Sequence, residues 1–346
     1  MATTDDHVAG ASAAAPPLPA PATLWQRITE RYDAAQRNAA ATMTETNTEV
    51  VPDGGLQFVL RVAAKLRDKP KPPPDASGEA KKEWRNPFLP YDRALWVADL
   101  AASHVLLLNK FNIVPWHCLV VTAEYRSQLD DLDTGDLAAT WAVVQAMPRG
   151  GLAFYNCGPV SGASQPHKHV QVVPLPLDDP EGSSDGSNSS SDGTPGQQDL
   201  ARPPIWQAVA AGAAAAGAEP GQPFELRNLP YAAFAATLPP LQQADAAGPQ
   251  LEAIYKQLLG RCTAFVEART GRQGATPQDG SLSYNWVCTR DFMLVAPRRQ
   301  EAEGPVSCNS VAFAGSIFVR SREEQQFVRE RGPLHVLTAT GFPWQP

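Results

Sequence analysis

Cysteine is scarce in this chain. Five occur in 346 residues (Cys118, Cys157, Cys262, Cys288 and Cys308), an odd number with no Cys-x-x-Cys pair. That pattern speaks against a disulfide scaffold or a thiolate metal site and fits the reduced thiols of a cytoplasmic protein. Long apolar runs are missing too, since no stretch approaches the roughly 18 consecutive apolar residues of a membrane helix. There is no basic run, and the formal net charge is −7. This argues against a nucleic-acid binder, which needs a basic face. It leaves an anionic small molecule open, because the local field and not net charge governs a pocket. The N-terminus, MATTDDHVAGASAAAPPLPAPATLW, has no cation before Arg27 and carries Asp5 and Asp6. It lacks the basic start and apolar core of a secretory signal, and the Arg-rich, acid-poor composition of a transit peptide. Residues 1–23 read as a disordered tail, with an organelle address as the alternative to a cytoplasmic location.

Histidine is almost as sparse, six in all, yet two stand close together in SGASQPHKHVQVVPLP. His167, His169 and Gln171 alternate with Lys168, Val170 and Val172. Side chains on a strand alternate between faces, so this segment as a strand sets His167, His169 and Gln171 in one row, neighbours roughly 6.5–7 Å apart. Val170 and Val172 then face a core. The preceding stretch, Asn156 to Pro166, is small, polar and glycine-containing. Such a loop lets backbone N–H groups converge on an anion, and Ser161, Ser164 and Gln165 add side-chain donors. An anion loop feeding a histidine-bearing strand points to phosphoryl or nucleotidyl transfer on a histidine nucleophile. A second reading makes His167 and His169 a metal pair. It needs further ligands, Gln171 is a poor one, and no other ligand tract completes a site.

The His167-Lys168-His169-Val170-Gln171 segment resembles the His-x-His-x-Gln signature of the transferase branch of the histidine-triad superfamily. Further blocks resemble the diadenosine tetraphosphate phosphorylases, also called ATP adenylyltransferases, in that family's order: Asn86 to Pro90, Leu108 to Asn112, SGASQPHKH, Ser283-Tyr284-Asn285 and Phe313-Ala314-Gly315. They span roughly residues 50 to 340. The resemblance implies that His169 attacks the α-phosphate of diadenosine tetraphosphate and expels ATP. Phosphate then takes the adenylyl group from the histidine and leaves as ADP. It implies that Gln171 hydrogen-bonds a phosphate oxygen, that Asn156 binds substrate, and that Gly162, Ala163, Ser164 and Gln165 form the phosphate loop. Ser283, Tyr284, Asn285 and Arg290 resemble family positions near the substrate. A divalent cation, Mg2+, is expected to arrive on the substrate, since no dedicated carboxylate cage is evident. The family places a basic contact near residues 39–48, where this chain has none; Arg37, Arg61 and Lys65 are the nearest cations. The alternative within the branch is a hexose-1-phosphate uridylyltransferase, although those enzymes carry proline where this chain has Lys168. A nucleotide sensor without catalysis is a third class, opposed by the intact His167, His169 and Gln171.

Other polar residues carry plainer readings. His104, His117 and His335 sit in apolar runs (HVLLL, WHCLVV, LHVL) and read as structural or peripheral. Asn109 and Lys110 end an apolar run, a good place for a cation facing a polyphosphate, with a solvated turn lysine as the alternative. His167 reads as orienting His169. Arg298 and Arg299 read as surface charge.

Breakers and periodicity set out the organisation. Helices are expected at 24–39, 132–147 (amphipathic), 203–216, within 238–267, and at 323–331. Strands are expected from Leu56, on either side of Asn109-Lys110, through the histidine row, over 283–296 with a turn at 289–291, and at 311–320. Asp178–Asp199 is Ser-, Asp- and Gly-rich and reads as a disordered linker, 178–200. It divides a catalytic half, 24–177, from a half completing the substrate site, 201–346. Strands and helices mix without strict βαβ alternation, which favours an α+β fold with a mainly antiparallel sheet and flanking helices. The resemblance implies a histidine-triad-like sheet made of two related, intertwined halves in one chain. A monomer that binds diadenosine polyphosphates, ATP, ADP and phosphate, with no nucleic acid and no membrane, is the expectation.

Overall fold

A computed structural model describes residues 18–65, 85–178, 201–241 and 244–345. The chain opens with α1 (Pro21–Arg37), which starts on a proline and buries Leu24, Ile28 and Ala35 along one stripe. The helix thus takes in Pro21, Ala22 and Thr23, which sequence alone assigned to the tail; residues 1–17 lie outside the described set. Then follow β1 (Thr42–Met43), β2 (Thr46–Asp53), β3 (Leu56–Ala63), β4 (Trp96–Leu100), β5 (His104–Leu108), β6 (Phe111–Asn112) and β7 (Cys118–Thr122). Next come α2 (Thr134–Ala146), β8 (Gly151–Cys157) and β9 (His169–Pro174). Beyond it come α3 (Trp206–Ala216), β10 (Phe224–Glu225), β11 (Phe234–Thr237), α4 (Ala244–Thr270), β12 (Tyr284–Cys288) and β13 (Phe292–Pro297). The chain closes with β14 (Ala302–Glu303), β15 (Val306–Ser307), α5 (Ser310–Phe313), β16 (Ser316–Val319), α6 (Arg322–Arg331) and α7 (Pro333–Thr340). Most of the linker expected at 178–200 lies outside the described residues.

Nine strands form one sheet in the order β10-β11-β13-β12-β8-β9-β7-β5-β4, every pair antiparallel. A smaller sheet, β16-β3-β2, joins the two ends of the chain, with β16 parallel to β3. This is the expected α+β class. The two halves are intertwined: α2 precedes the β8–β9 pair, α4 precedes the β12–β13 pair, and β8 lies against β12 with Asn156 opposite Asn285. Tyr155-Asn156 and Tyr284-Asn285 repeat at matching places in the two halves.

One face of the large sheet is covered by α1, α2 and α4. Its core takes Val170 and Val172 from β9, Tyr155 and Cys157 from β8, and Tyr284 and Trp286 from β12. Helix α2 is buried almost all round, from Asp136 to Val144, so its expected amphipathic character is overturned: the sheet, α1 and α4 enclose it. The opposite face meets the small sheet, α3 and α7 through a second core that includes Phe154, Val173 and Val287. A third, smaller cluster of Phe88, Val105, Leu107, Leu119 and Val121 occupies the far end of that face. The segment 311–320, expected as a strand, is split. Asn309 caps the short α5 by accepting from Val311 N–H, and only Ser316–Val319 is extended. Strand β2 went unseen because it is an edge strand with a weakly alternating, largely exposed pattern; α7 went unseen because its apolar PLHVL start imitates a strand. Among the described residues no helix is long and apolar enough to cross a membrane.

Candidate active site

The row read from the sequence exists. His169 pairs with Val121 across β7, and Gln171 lies between Leu119 and Phe154, so both project from the face opposite α2. His169 is 5% exposed, and its Nδ1 lies 2.8 Å from the His167 carbonyl. A carbonyl can only accept, so Nδ1 carries the proton and Nε2 keeps its lone pair. Burial lowers the pKa of His169 to about 4, opposed by that bond and helped by the repulsion that a second protonated ring beside His167 would meet, so the imidazole is neutral near pH 7. Its backbone is clamped as well: Gln128 Oε1 accepts from His169 N–H at 2.8 Å, and Gln128 Nε2 donates to the His169 carbonyl at 3.3 Å. Gln128 drew no notice in the sequence, because nothing local distinguishes a loop glutamine whose amide bridges β8 and β9.

His167 has no free nitrogen. Its Nε2 lies 3.0 Å from the Thr122 carbonyl and 3.2 Å from that of Glu124, which makes Nε2 the donor. Asn86 Nδ2 then donates to Nδ1 at 3.0 Å. Phe88 packs on both rings, with centroids 5.6 Å from His167 and 5.2 Å from His169. The His167 ring is thus fixed by its own neighbours, and it is the His167 backbone carbonyl that meets His169 Nδ1. Three of the four ring nitrogens of His167 and His169 are engaged by the protein, which leaves His169 Nε2.

His117 is the main correction. Read as structural or peripheral, it sits in the row: Nε2 lies 3.0 Å from Gln171 Oε1, and Asn109 Nδ2 lies 3.1 Å from its Nδ1. Asn109 can only donate through that atom, so the His117 proton is on Nε2 and goes to Gln171 Oε1. The glutamine amide is thereby turned, leaving its NH2 to meet a ligand. Burial lowers the pKa of His117 to about 4, so this arrangement holds at neutral pH. Asn109 acts through His117; Lys110 is exposed at the next position. His104 is structural as expected, bonded to Asp136 Oδ1 at 2.8 Å.

The loop between β8 and β9 needs glycine at two points. Gly158 and Gly162 have φ of +97° and +84°. A Cβ on Gly162 would come 2.8 Å from the Cys308 carbonyl, and one on Gly158 2.6 Å from that of Leu282. Ala163 and Ser164 are exposed and Gln165 is half-buried. Ser161 is fully buried and its hydroxyl donates to the Gly158 carbonyl at 2.7 Å.

Beneath the loop lies a bonded pair of amides, Asn156 and Asn285. Asn156 Oδ1 accepts from Asn285 Nδ2 at 2.9 Å, from Ser310 N–H at 2.9 Å and from Ser310 Oγ at 2.7 Å, leaving its Nδ2 side for a ligand. Asn285 also donates to the Ser161 carbonyl, and its Oδ1 accepts from Arg298. Asn285 therefore supports the site without a free donor. Arg298, read as surface charge, is 3% exposed and donates to the carbonyls of Ser161, Cys308, Gln300 and Glu301. Ser283 Oγ accepts from Val160 N–H, again beneath the loop.

Two substrate candidates are misplaced. Tyr284 points into the helix-covered face, where its hydroxyl meets that of Tyr255 at 2.6 Å; strand alternation sends it opposite to Asn285. Arg290 lies in the β12–β13 turn at the end of the hairpin away from Asn285. There it donates to the carbonyls of Gln145 at 2.8 Å and Met147 at 2.7 Å, where α2 ends.

Comparison with known proteins follows this geometry. A family model described as the Ap4A phosphorylase N-terminal domain matches residues 15–184, and one described as the ATP adenylyltransferase C-terminal domain matches residues 227–343. The chain is 28% identical over 345 residues to "Diadenosine 5',5'''-P1,P4-tetraphosphate phosphorylase 2" of Saccharomyces cerevisiae, covering 92% of this chain and 95% of that protein. It is 25% identical over 341 residues to "Protein APA1" of the same yeast, covering 93% and 95%. Crystal structures of yeast Ap4A phosphorylase Apa2 in complex with AMP and with Ap4A superpose with TM-scores of 0.69 and 0.70, at 26% and 25% identity, each covering 94% of this chain and 99% of theirs. The chain belongs to the diadenosine tetraphosphate phosphorylase (ATP adenylyltransferase) family, with both of its domains in order.

Proposed function

We propose that this protein cleaves diadenosine tetraphosphate with inorganic phosphate to ATP and ADP, through an adenylyl group carried on His169. The observation that carries this is the tautomer of His169: its Nδ1–H is held by the His167 carbonyl, and its buried Nε2 is left unprotonated beside Gln171. Nε2 attacks the α-phosphorus, the bond to the bridging oxygen breaks, and ATP leaves. A phosphate oxygen then attacks the same phosphorus, the N–P bond breaks, and ADP leaves with His169 restored. The Gln171 NH2, aimed by His117, donates to a non-bridging oxygen as charge builds there. Gly162, Ala163, Ser164 and Gln165 enclose the phosphates, and Asn156 supplies an amide. A divalent cation, Mg2+, travels with the substrate, whose four phosphates supply its oxygen ligands. A monomer is the working unit, since one chain holds both halves of the site.

Hexose-1-phosphate uridylyl transfer is not favoured. The family models and the yeast relatives lie elsewhere, and the position between the histidines is a lysine buried against Asp136. Product analysis with diadenosine tetraphosphate and Mg2+, with and without phosphate, tests the proposal. ATP plus ADP should appear only with phosphate, and His169→Ala should abolish turnover. Equal rates without phosphate would make the enzyme a hydrolase.

A further inference from the structure

Arg61 is a charge that the chemistry above leaves unused. It lies in β3 and is 6% exposed. One terminal nitrogen donates to Thr46 Oγ1 at 2.8 Å and the other to the Leu177 carbonyl at 2.5 Å. That commits two of a guanidinium's five N–H groups. Among the described residues no carboxylate lies within ion-pair distance; Asp178 acts only at longer range, and burial lowers the arginine's pKa. Buried charges are ordinarily paired, so an arginine left this way calls for a ligand.

Arg61 lines a cavity of about 270 Å³ that also takes in Gly162 and Gln171. Those two belong to the phosphate-holding apparatus. Much of the rest is apolar, including Val114, Val173, Leu177 and Ile317. Two other charges line it: Arg320, stacked on Phe318 at 4.9 Å, and Glu301, whose carboxylate accepts from Ser307. An apolar chamber opening at the α-phosphate site suits the nucleoside, while the phosphates remain at the loop.

We infer that Arg61 is the polar contact for the purine base of the transferred adenylyl group, donating to a ring-nitrogen acceptor on its edge. The inference rests on the nucleotidyl-transfer reading and deepens it. A guanidinium has donors only, so it reads the acceptors N1, N3 or N7 and not the exocyclic amino group. Arg61 then sets specificity for the base and takes no part in bond making.

Calorimetric titration of the full chain with AMP and with ribose 5-phosphate separates base from phosphate. Arg61→Met should weaken AMP binding roughly tenfold or more, the loss of one charge-assisted hydrogen bond. It should leave ribose 5-phosphate binding unchanged, which also shows that the variant is folded. Arg61→Lys, returning a donor without the planar fork, should recover part of the AMP affinity. An equal loss for both ligands would make Arg61 a phosphate contact and overturn the inference, as would unchanged AMP affinity. Failure of the unmodified chain to bind AMP would overturn the nucleotidyl-transfer reading and the inference with it.

Discussion

A histidine attacks phosphorus only through an unprotonated nitrogen, and His169 keeps one by two means. Its Nδ1 proton is held by a backbone carbonyl, and burial keeps the ring from taking a second. The lowered value, about 4, sets a pH profile. The kcat/KM of the free enzyme should stay level through the neutral range and fall only as pH approaches about 4. A fall centred near the ordinary histidine value of about 6.5 would contradict this environment. His117 titrates in the same acid range, and its protonation removes the acceptor that Asn109 uses. Stability has the same sign. For both rings the folded state resists protonation, so their contribution is present above about pH 6.5 and is lost as pH falls towards about 4.

At the scale of elements, the catalytic strand is tied to α2 by a buried ion pair. Lys168 sits between the two histidines but points to the helix side, where its Nζ lies 2.5 Å from Asp136 Oδ2. Asp136 also accepts from His104 and closes the capping box of α2 with Asp133. Burial disfavours the Asp136 charge, yet the His104 and Lys168 interactions bring its pKa down to about 2. Lys168→Met should cost about 3–5 kcal/mol, because it strands a buried carboxylate. Thermal and urea unfolding would measure it, and an unchanged midpoint would mean that the pair adds no stability. Sequence showed Lys168 only as an intervening residue; its partner lies 32 positions away.

At the scale of the molecule, the halves share both sheets. β8 of the first half pairs with β12 of the second, and β16 pairs with β3. Residues 24–177 alone would expose the β8 edge and lose the strand beside β3. That fragment should therefore lack cooperative unfolding, as calorimetry would show. Co-expressing it with 201–346 should restore phosphorolysis, and a stable, active lone fragment would refute the intertwined reading.

The chemistry was legible in the chain because it is local. His167, His169 and Gln171 share a face through strand alternation over five residues, and Gly162 sits in a loop that announces itself by composition. Tertiary structure decided whatever depends on distant strands meeting. It brought His117 to Gln171, turned Tyr284 away while keeping Asn285, moved Arg298 from the surface into the core, and set Arg61 in the cavity wall. A strand's period says which residues share a face. Only sheet order and register say which face is the site and what stands opposite.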